Sequence, residues 1–390
     1  MVARTAGPHH WGQPTSGGGK PTPTLNAARP LDMLARMFRA ATLSATLALA
    51  AATLSATPAA ESDTTRAQLA KQVGQMTISP LRGTTPDDAI SDRIQAGEIG
   101  GVILFGENIE THPQVRALVR RLQSAAKRGG NPGLLVMTDQ EGGDVRRFQT
   151  VPPSMSAQAM GQRPTAAIRI QGRGAGRGLD RDGVNVDLAP VADVPTRSDS
   201  FLGTRAFARD AAAVARDACA FAGGLHDGHV AATLKHFPGL GRASGNTDLR
   251  PVTIAATAAT LAPDLRPYRA CAARPATLVM VSSAVYDPLT GGRPAVTSPA
   301  TYALLRSTLR FSGPAISDSL GGAAVAHVPD LAARAAAAGL DLELWGSEPA
   351  AHAGYRALLA AARAGRVPAA RIAQAAARIH ALKLQLHLTR

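Results

Sequence analysis

Apolar residues along this chain gather in short continuous runs, separated by longer stretches in which they recur at every third or fourth position. Eight runs read as buried strands: residues 75–78, 100–105, 134–137, 184–188, 230–234, 278–281, 314–316 and 340–344. Apolar-rich runs of this length, unbroken as in 134–137 and 278–281 or interrupted as in 184–188 and 340–344, suit strands buried in a parallel sheet. The stretches between them, such as 114–127 and 208–223, carry Arg, Ala and Leu at helical period and helical length. A first helix over 65–74 begins behind Ser62, a good N-cap, and a last one over 369–386 has no strand after it and is expected to pack on the outside. Strand and helix alternate eight times in about 330 residues, which predicts an α/β fold, a single (β/α)8 TIM-type barrel, over an open doubly wound sheet. No Gly-x-Gly-x-x-Gly follows the first strand, which further disfavours a dinucleotide fold.

The segments before the barrel read differently. Residues 1–32 are rich in Gly, Pro and Ser and lack apolar periodicity, as expected of a disordered leader or a start site placed too early. From Met33, the pair Arg36 and Arg39, an apolar run over 40–52 and the small-residue stretch Thr57-Pro58-Ala59-Ala60 form the three regions of an export signal. The predicted division is therefore 1–32, a signal peptide over 33–60, and a catalytic barrel over 61–390. Because the apolar run is short and no stop-transfer pattern follows, cleavage is favoured over a stable membrane anchor. A secreted or cell-wall-associated protein is the expectation, and a monomer, since no helix shows an obvious unpaired apolar face. Export would permit a disulfide between the only two cysteines, Cys219 and Cys271, but two buried free thiols are the plainer reading, because sequence alone cannot bring their Cα atoms within bridging distance.

Composition changes the picture little. Apolar residues make up 45% of the 390, ample for a large core. The net charge of +14 comes almost wholly from Arg, spread through Ala- and Gly-rich sequence with no basic run interleaved with aromatics, so nucleic acid is not an expected partner.

Polar groups cluster where the predicted strands end. Asp139, Gln140 and Glu141 follow the third strand, Asp193 the fourth, Lys235 and His236 the fifth, Ser282 and Ser283 the sixth, and Ser317, Asp318 and Ser319 the seventh. One such residue is ordinary; five coincident ends mark the face on which barrel active sites lie. Several carboxylates with a Lys, a His and a strand-end Arg, and without a Cys nucleophile, a phosphate loop or metal-spaced histidines, suit carbohydrate chemistry, so neither a metal nor a cofactor is expected. Glycoside cleavage needs one carboxylate at the oxocarbenium-like centre and a second group to protonate the leaving oxygen.

With these residues in view, the chain resembles glycoside hydrolase family three, in particular its single-barrel β-N-acetylhexosaminidase branch. The likeness runs over about residues 70–385. It rests on Gly101-Val102-Ile103-Leu104-Phe105 with Asn108-Ile109, on Asp139-Gln140-Glu141-Gly142-Gly143-Asp144-Val145-Arg146-Arg147-Phe148, on Gly203-Thr204-Arg205-Ala206-Phe207, on Lys235-His236-Phe237-Pro238-Gly239 and on Ser317-Asp318-Ser319-Leu320. The resemblance implies that Asp318 is the nucleophile of a retaining mechanism and that Asp139, Arg205, Lys235 and His236 bind the terminal sugar. It implies β-linked N-acetylglucosamine as that sugar and cell-wall fragments as substrates. Read alone, Asp318 also suits a helix N-cap, and His236 a core histidine satisfied by a backbone carbonyl.

The chain departs from the family in one place. The loop after Pro238-Gly239 normally ends in Asp-Ser-His, whose His is the acid/base; here it reads Asn246-Thr247-Asp248 in the same register. Leu240 and Ser283 also stand where the family often has His. Either Asp248 supplies the proton, another residue enters the site, or protonation is lost, leaving a barrel that binds sugars with little turnover; a β-glycosidase of other sugar preference is a further alternative. To serve, Asp248 would need burial or a nearby anion such as Asp318 to keep its proton.

Overall fold

A computed structural model describes residues 63–389; the expected segments 1–32 and 33–60 lie outside them. Eight parallel strands form one sheet: β1 (Thr77–Pro80), β2 (Gly101–Ile103), β3 (Leu135–Thr138), β4 (Val186–Asp187), β5 (Ala231–Phe237), β6 (Thr277–Val281), β7 (Ala315–Ser317) and β8 (Glu343–Leu344). Each pairs with its neighbours in chain order, β8 lies beside β1, and a parallel bridge from Ile316 to Leu342 brings β7 to β8, so the sheet curls into a barrel. Every predicted strand is present. All eight are buried, and most of their positions are apolar, with polar residues such as Ser79, Asp187, Lys235 and Glu343 enclosed among them.

A helix follows each strand, among them Asp88–Ala96, His112–Arg128, Thr165–Arg181, Ala211–Asp227 and Glu348–Arg363. Their starts are fixed by side-chain caps: Asp87, Thr111, Asp210 and Ser347 each accept from a backbone amide in the first turn, satisfying donors the helix itself leaves open. The helices Thr165–Arg181 and Ala211–Asp227 touch backbone to backbone, since a Cβ on Gly172 would lie 2.3 Å from the Phe221 carbonyl oxygen and one on Gly224 2.2 Å from that of Arg169. The last helix, Ala369–Gln385, packs outside the barrel as its sequence implies. Its buried Lys383 donates to the Gln75 side chain at 2.7 Å and to the Gly100 carbonyl at 2.9 Å, at the end of the barrel opposite the strand-end polar groups.

The plainer reading of the cysteines is corrected. Cys219, on helix Ala211–Asp227, is bonded to Cys271, on the short helix Arg266–Cys271, with Cα atoms 5.1 Å apart. The two helices flank β5 in sequence and meet at their buried faces, a proximity that no local pattern encodes.

Candidate active site

The carboxyl ends of the strands hold the polar groups in two linked clusters. β3 leads into a small hairpin, Gln140–Gly142 against Val145–Arg146, which Gln140 anchors by donating to the Phe148 and Val151 carbonyls at 3.0 and 2.8 Å. The hairpin presents Asp139 and Glu141 to the end of β5. There Lys235 Nζ meets Asp139 Oδ1 at 2.9 Å and Glu141 Oε1 at 2.7 Å. Arg205 forks onto the same Glu141, at 2.8 and 2.7 Å. Sequence had placed this Arg at a strand end; it instead sits in a single 3-10 turn, Gly203–Arg205, within the long connection after β4. Arg147 completes the cluster, 3.6 Å from Asp139 and over the Phe105 ring.

Burial alone would raise Glu141, but Lys235 and Arg205 outweigh it and hold its carboxyl down at about 2. Burial likewise disfavours the Lys235 ammonium, and Asp139 and Glu141 reverse that and raise it above the usual lysine range. Both ions therefore stay charged out of water because each has opposite charge in contact. Asp187, at the end of β4, is the counterexample. It accepts from the Gln140 amide through Oδ1, its Oδ2 is buried without a partner, and burial pushes it up to about 8, so it is protonated at neutral pH.

The second cluster is built on Asp193, wholly buried after β4. Its Oδ1 accepts from the amides of His236 and Leu240 at 3.1 and 2.6 Å, and its Oδ2 pairs with His236 Nδ1 at 2.7 Å. The imidazole is thus held by a carboxylate, not a backbone carbonyl, and Nε2 is the nitrogen left for a ligand. Lys235 and His236 are joined by a cis peptide.

Asp318 follows β7, its own amide bonded to the Val281 carbonyl and its Oδ1 accepting from Ser319 N at 2.8 Å. Turns and no helix follow it, so the N-cap reading falls. Asp248 comes from the arch after β5. Although Asp248 is exposed on the arch, partial desolvation first, and the charge of Asp318 second, raise its pKa above the ordinary carboxylate value. These are the two influences the sequence required of it.

Asp139, Arg205, Lys235, His236, Asp248 and Asp318 all line one cleft of about 220 Å³. Ile103, Leu188, Met280 and Leu344 supply its apolar wall, and Trp345 and Phe201 stand beside them. Leu240 and Thr247 also line it. Sequence reasoning passed over three residues that shape this site: Glu141 and Asp193, which were seen at strand ends but given no partner, and Arg147, whose place in the hairpin follows from the turn at Gly142-Gly143. Among the described residues no group of three or more His, Cys, Asp or Glu is arranged to hold a metal ion.

A parallel barrel that gathers paired carboxylates and cationic donors at its strand ends, around a cleft of this size, is that of a glycoside hydrolase. The model of the glycosyl hydrolase family 3 N-terminal domain matches residues 67–382, and the chain belongs to that family. Among curated proteins, the β-hexosaminidase LpqI of Mycobacterium tuberculosis is 35% identical over 269 residues, 65% of this chain and 69% of its own. An uncharacterized secreted glycosyl hydrolase of Arthroderma benhamiae is 32% identical over 334 residues, 82% of this chain and 94% of its own. Of solved structures, the family 3 β-N-acetylglucosaminidase of Paenibacillus sp. str. FPU-7 superposes with a TM-score of 0.78 at 30% identity, over 82% of this chain and 63% of that one. The β-N-acetylhexosaminidase of Beutenbergia cavernae does so with a TM-score of 0.73 at 31% identity, over 81% of this chain and 98% of that one.

Proposed function

We propose that this protein is an exported, retaining β-N-acetylhexosaminidase that removes terminal β-linked N-acetylglucosamine, with Asp318 as nucleophile and Asp248 as general acid/base. The observation that carries the reading is the placement of these two carboxyl groups on one cleft, with the pKa of Asp248 raised by partial desolvation and by the charge of Asp318. A retaining enzyme needs two carboxyl groups with different tasks, one to attack the anomeric carbon and one to give a proton to the leaving oxygen. Once the glycosyl-enzyme has formed, Asp248 is the base that takes a proton from the incoming water. Asp139, Lys235, Arg205 and His236 would fix the ring, each held by a partner so that little ordering remains at binding.

The sugar is read from relatives whose names carry β-hexosaminidase and β-N-acetylglucosaminidase activity. Export is supported by the signal-like sequence over 33–60, by a buried disulfide that suits an oxidising compartment, and by a relative described as secreted. Cell-wall fragments are the natural source of such ends for a bacterial enzyme of this kind.

The test compares kcat/KM for an aryl β-N-acetylglucosaminide, whose leaving group needs little protonation, with that for the β-1,4-linked disaccharide. Asp248→Ala should spare kcat/KM for the first and depress that for the second by about 10² to 10⁴; kcat on the aryl substrate should fall, because the base for the second step is gone, and added azide should restore it by capturing the glycosyl-enzyme. Equal losses on both substrates would remove Asp248 from the role. Asp318→Asn should abolish turnover of both, and retained activity would overturn the nucleophile assignment. Faster cleavage of the aryl β-glucoside would move the sugar assignment.

A further inference from the structure

Trp345 lines the cleft yet is nearly enclosed, 8% exposed, where Phe105 and Phe201 beside it are half-buried. It directly follows β8, which lies four strands from β4 in either direction round the barrel. The indole therefore borders the cleft on the side away from Asp193 and the charged cluster. Its main chain is pinned: the Trp345 amide donates to the Ile78 carbonyl at 3.2 Å, and the carbonyl of the preceding Leu344 accepts from the Leu320 amide at 2.9 Å. The ring can move only about its own side-chain torsions.

Helix Glu348–Arg363 gives that ring a recess, and Gly354 is its floor. A Cβ on Gly354 would lie 2.1 Å from Trp345 Cζ2, 2.4 Å from Cε2 and 2.9 Å from Cη2, far inside the roughly 3.5–4.0 Å at which carbon atoms rest. A side chain at 354 and the present place of the ring exclude each other. The helix itself gains nothing from this residue, since its φ is not among the positive ones and glycine is a poorer helix former than alanine. On the same edge of the indole, the N–H is what offsets burial at the Glu343 carboxyl, so the nitrogen too is turned into the protein. The side left open is the cleft.

We propose that Gly354, on an outer helix and itself no part of the cleft lining, is a specificity-determining residue: the recess it leaves holds the Trp345 indole back as the apolar wall for the sugar and so sets the width of the cleft. The inference rests on the reading of this cleft as the glycoside site. Filling the recess would bring the ring forward by more than about 1 Å before ordinary contact is regained. In a cleft of about 220 Å³ that space is taken from the sugar, because the wall opposite is built of ions already held by their partners and cannot yield.

The experiment uses the full chain carrying Trp11→Phe, which leaves Trp345 as its single tryptophan. In that background Gly354→Ala should shift tryptophan emission to longer wavelength, as the ring advances towards water. KM for the aryl glycoside should rise about tenfold with kcat within about twofold, the mark of a modest overpacking strain felt at binding. Trp345→Phe makes the ring smaller, so Gly354→Ala combined with Trp345→Phe should return to the KM of Trp345→Phe alone, a non-additive rescue confined to residues in contact. A folded Gly354→Ala with wild-type KM overturns the inference, whatever its emission or melting temperature, and so does a KM loss that Trp345→Phe leaves in place. Should Gly354→Ala fail to fold, Trp345→Phe decides the matter: a raised KM with kcat kept supports the wall, and a wild-type KM overturns it. KM is read on whichever of the aryl β-N-acetylglucosaminide and the aryl β-glucoside the wild type cleaves faster. Preference for the glucoside thus corrects the sugar assignment and leaves this test standing, while cleavage of neither takes down both readings.

Discussion

Glu141 takes both nitrogens of the Arg205 fork, at 2.8 and 2.7 Å, while the Lys235 ammonium sits 2.7 Å from one of the same oxygens. One buried carboxylate therefore orders two cations, one from the end of β5 and one from the connection after β4. Glu141→Gln should leave both without their shared counter-charge. A loss of about 3–5 kcal/mol in unfolding free energy is expected, the usual result of breaking a buried ion pair, with a raised KM in whatever enzyme remains folded. Chemical denaturation and steady-state kinetics check the two halves.

Asp193 does for His236 what Glu141 does for Lys235, but through three bonds to one short segment. Asp193→Asn keeps the shape and loses the charge-assisted acceptor for Nδ1, so the ring can rotate or take the wrong tautomer. A fall in kcat/KM of about a hundredfold is expected, with the melting temperature moving far less than in Glu141→Gln. Comparable damage to stability and activity would show that Asp193 is a structural residue only.

Glu343 gives a pH signature. On β8 it is wholly buried, neither carboxylate oxygen has a well-formed hydrogen bond, and burial, only partly offset by the Trp345 indole, pushes it up to about 8 from 4.5. Below its unfolded pKa the group is protonated in both states and contributes nothing to the pH dependence. Between about 5 and 8 the native state keeps a proton that the unfolded chain has released, so stability falls as pH rises through that window and levels above it. Glu343→Gln, neutral at every pH, should flatten that part of the decline and stand above wild type at pH 8. Melting temperatures from pH 5 to 9 measure the difference; parallel curves would mean that Glu343 does not titrate in this window.

Removing the bridge between Cys219 and Cys271, which are 52 residues apart, should cost about 4 kcal/mol on the chain-entropy argument. The double variant to alanine and the reduced wild type should unfold at similarly lowered denaturant. No change on reduction would mean that the bond does not form in solution.

The strands were legible because each is covered on both faces and is rich in apolar residues, even where a polar one such as Asp187 or Glu343 interrupts it. Asp139, Lys235, His236 and Asp318 were legible for a related reason: a charged residue at the end of an apolar run has nowhere to go but the barrel mouth. Their partners were not. Glu141 meets Arg205 across 64 positions, and Asp193 meets His236 across 43, by way of connections whose paths depend on tertiary packing. The disulfide was unreadable on the same ground.

At the end of the cleft proposed to hold the sugar, Lys235, Arg205 and Arg147 face Asp139 and Glu141, three cations paired with two carboxylates. Such a surface is crowded with ions yet carries little net charge, and an uncharged sugar bound there would meet it chiefly through the direction of hydrogen bonds. Ionic strength then has little purchase on recognition: KM should hold nearly constant from dilute buffer to molar salt, where a site that draws in a charged ligand would weaken severalfold.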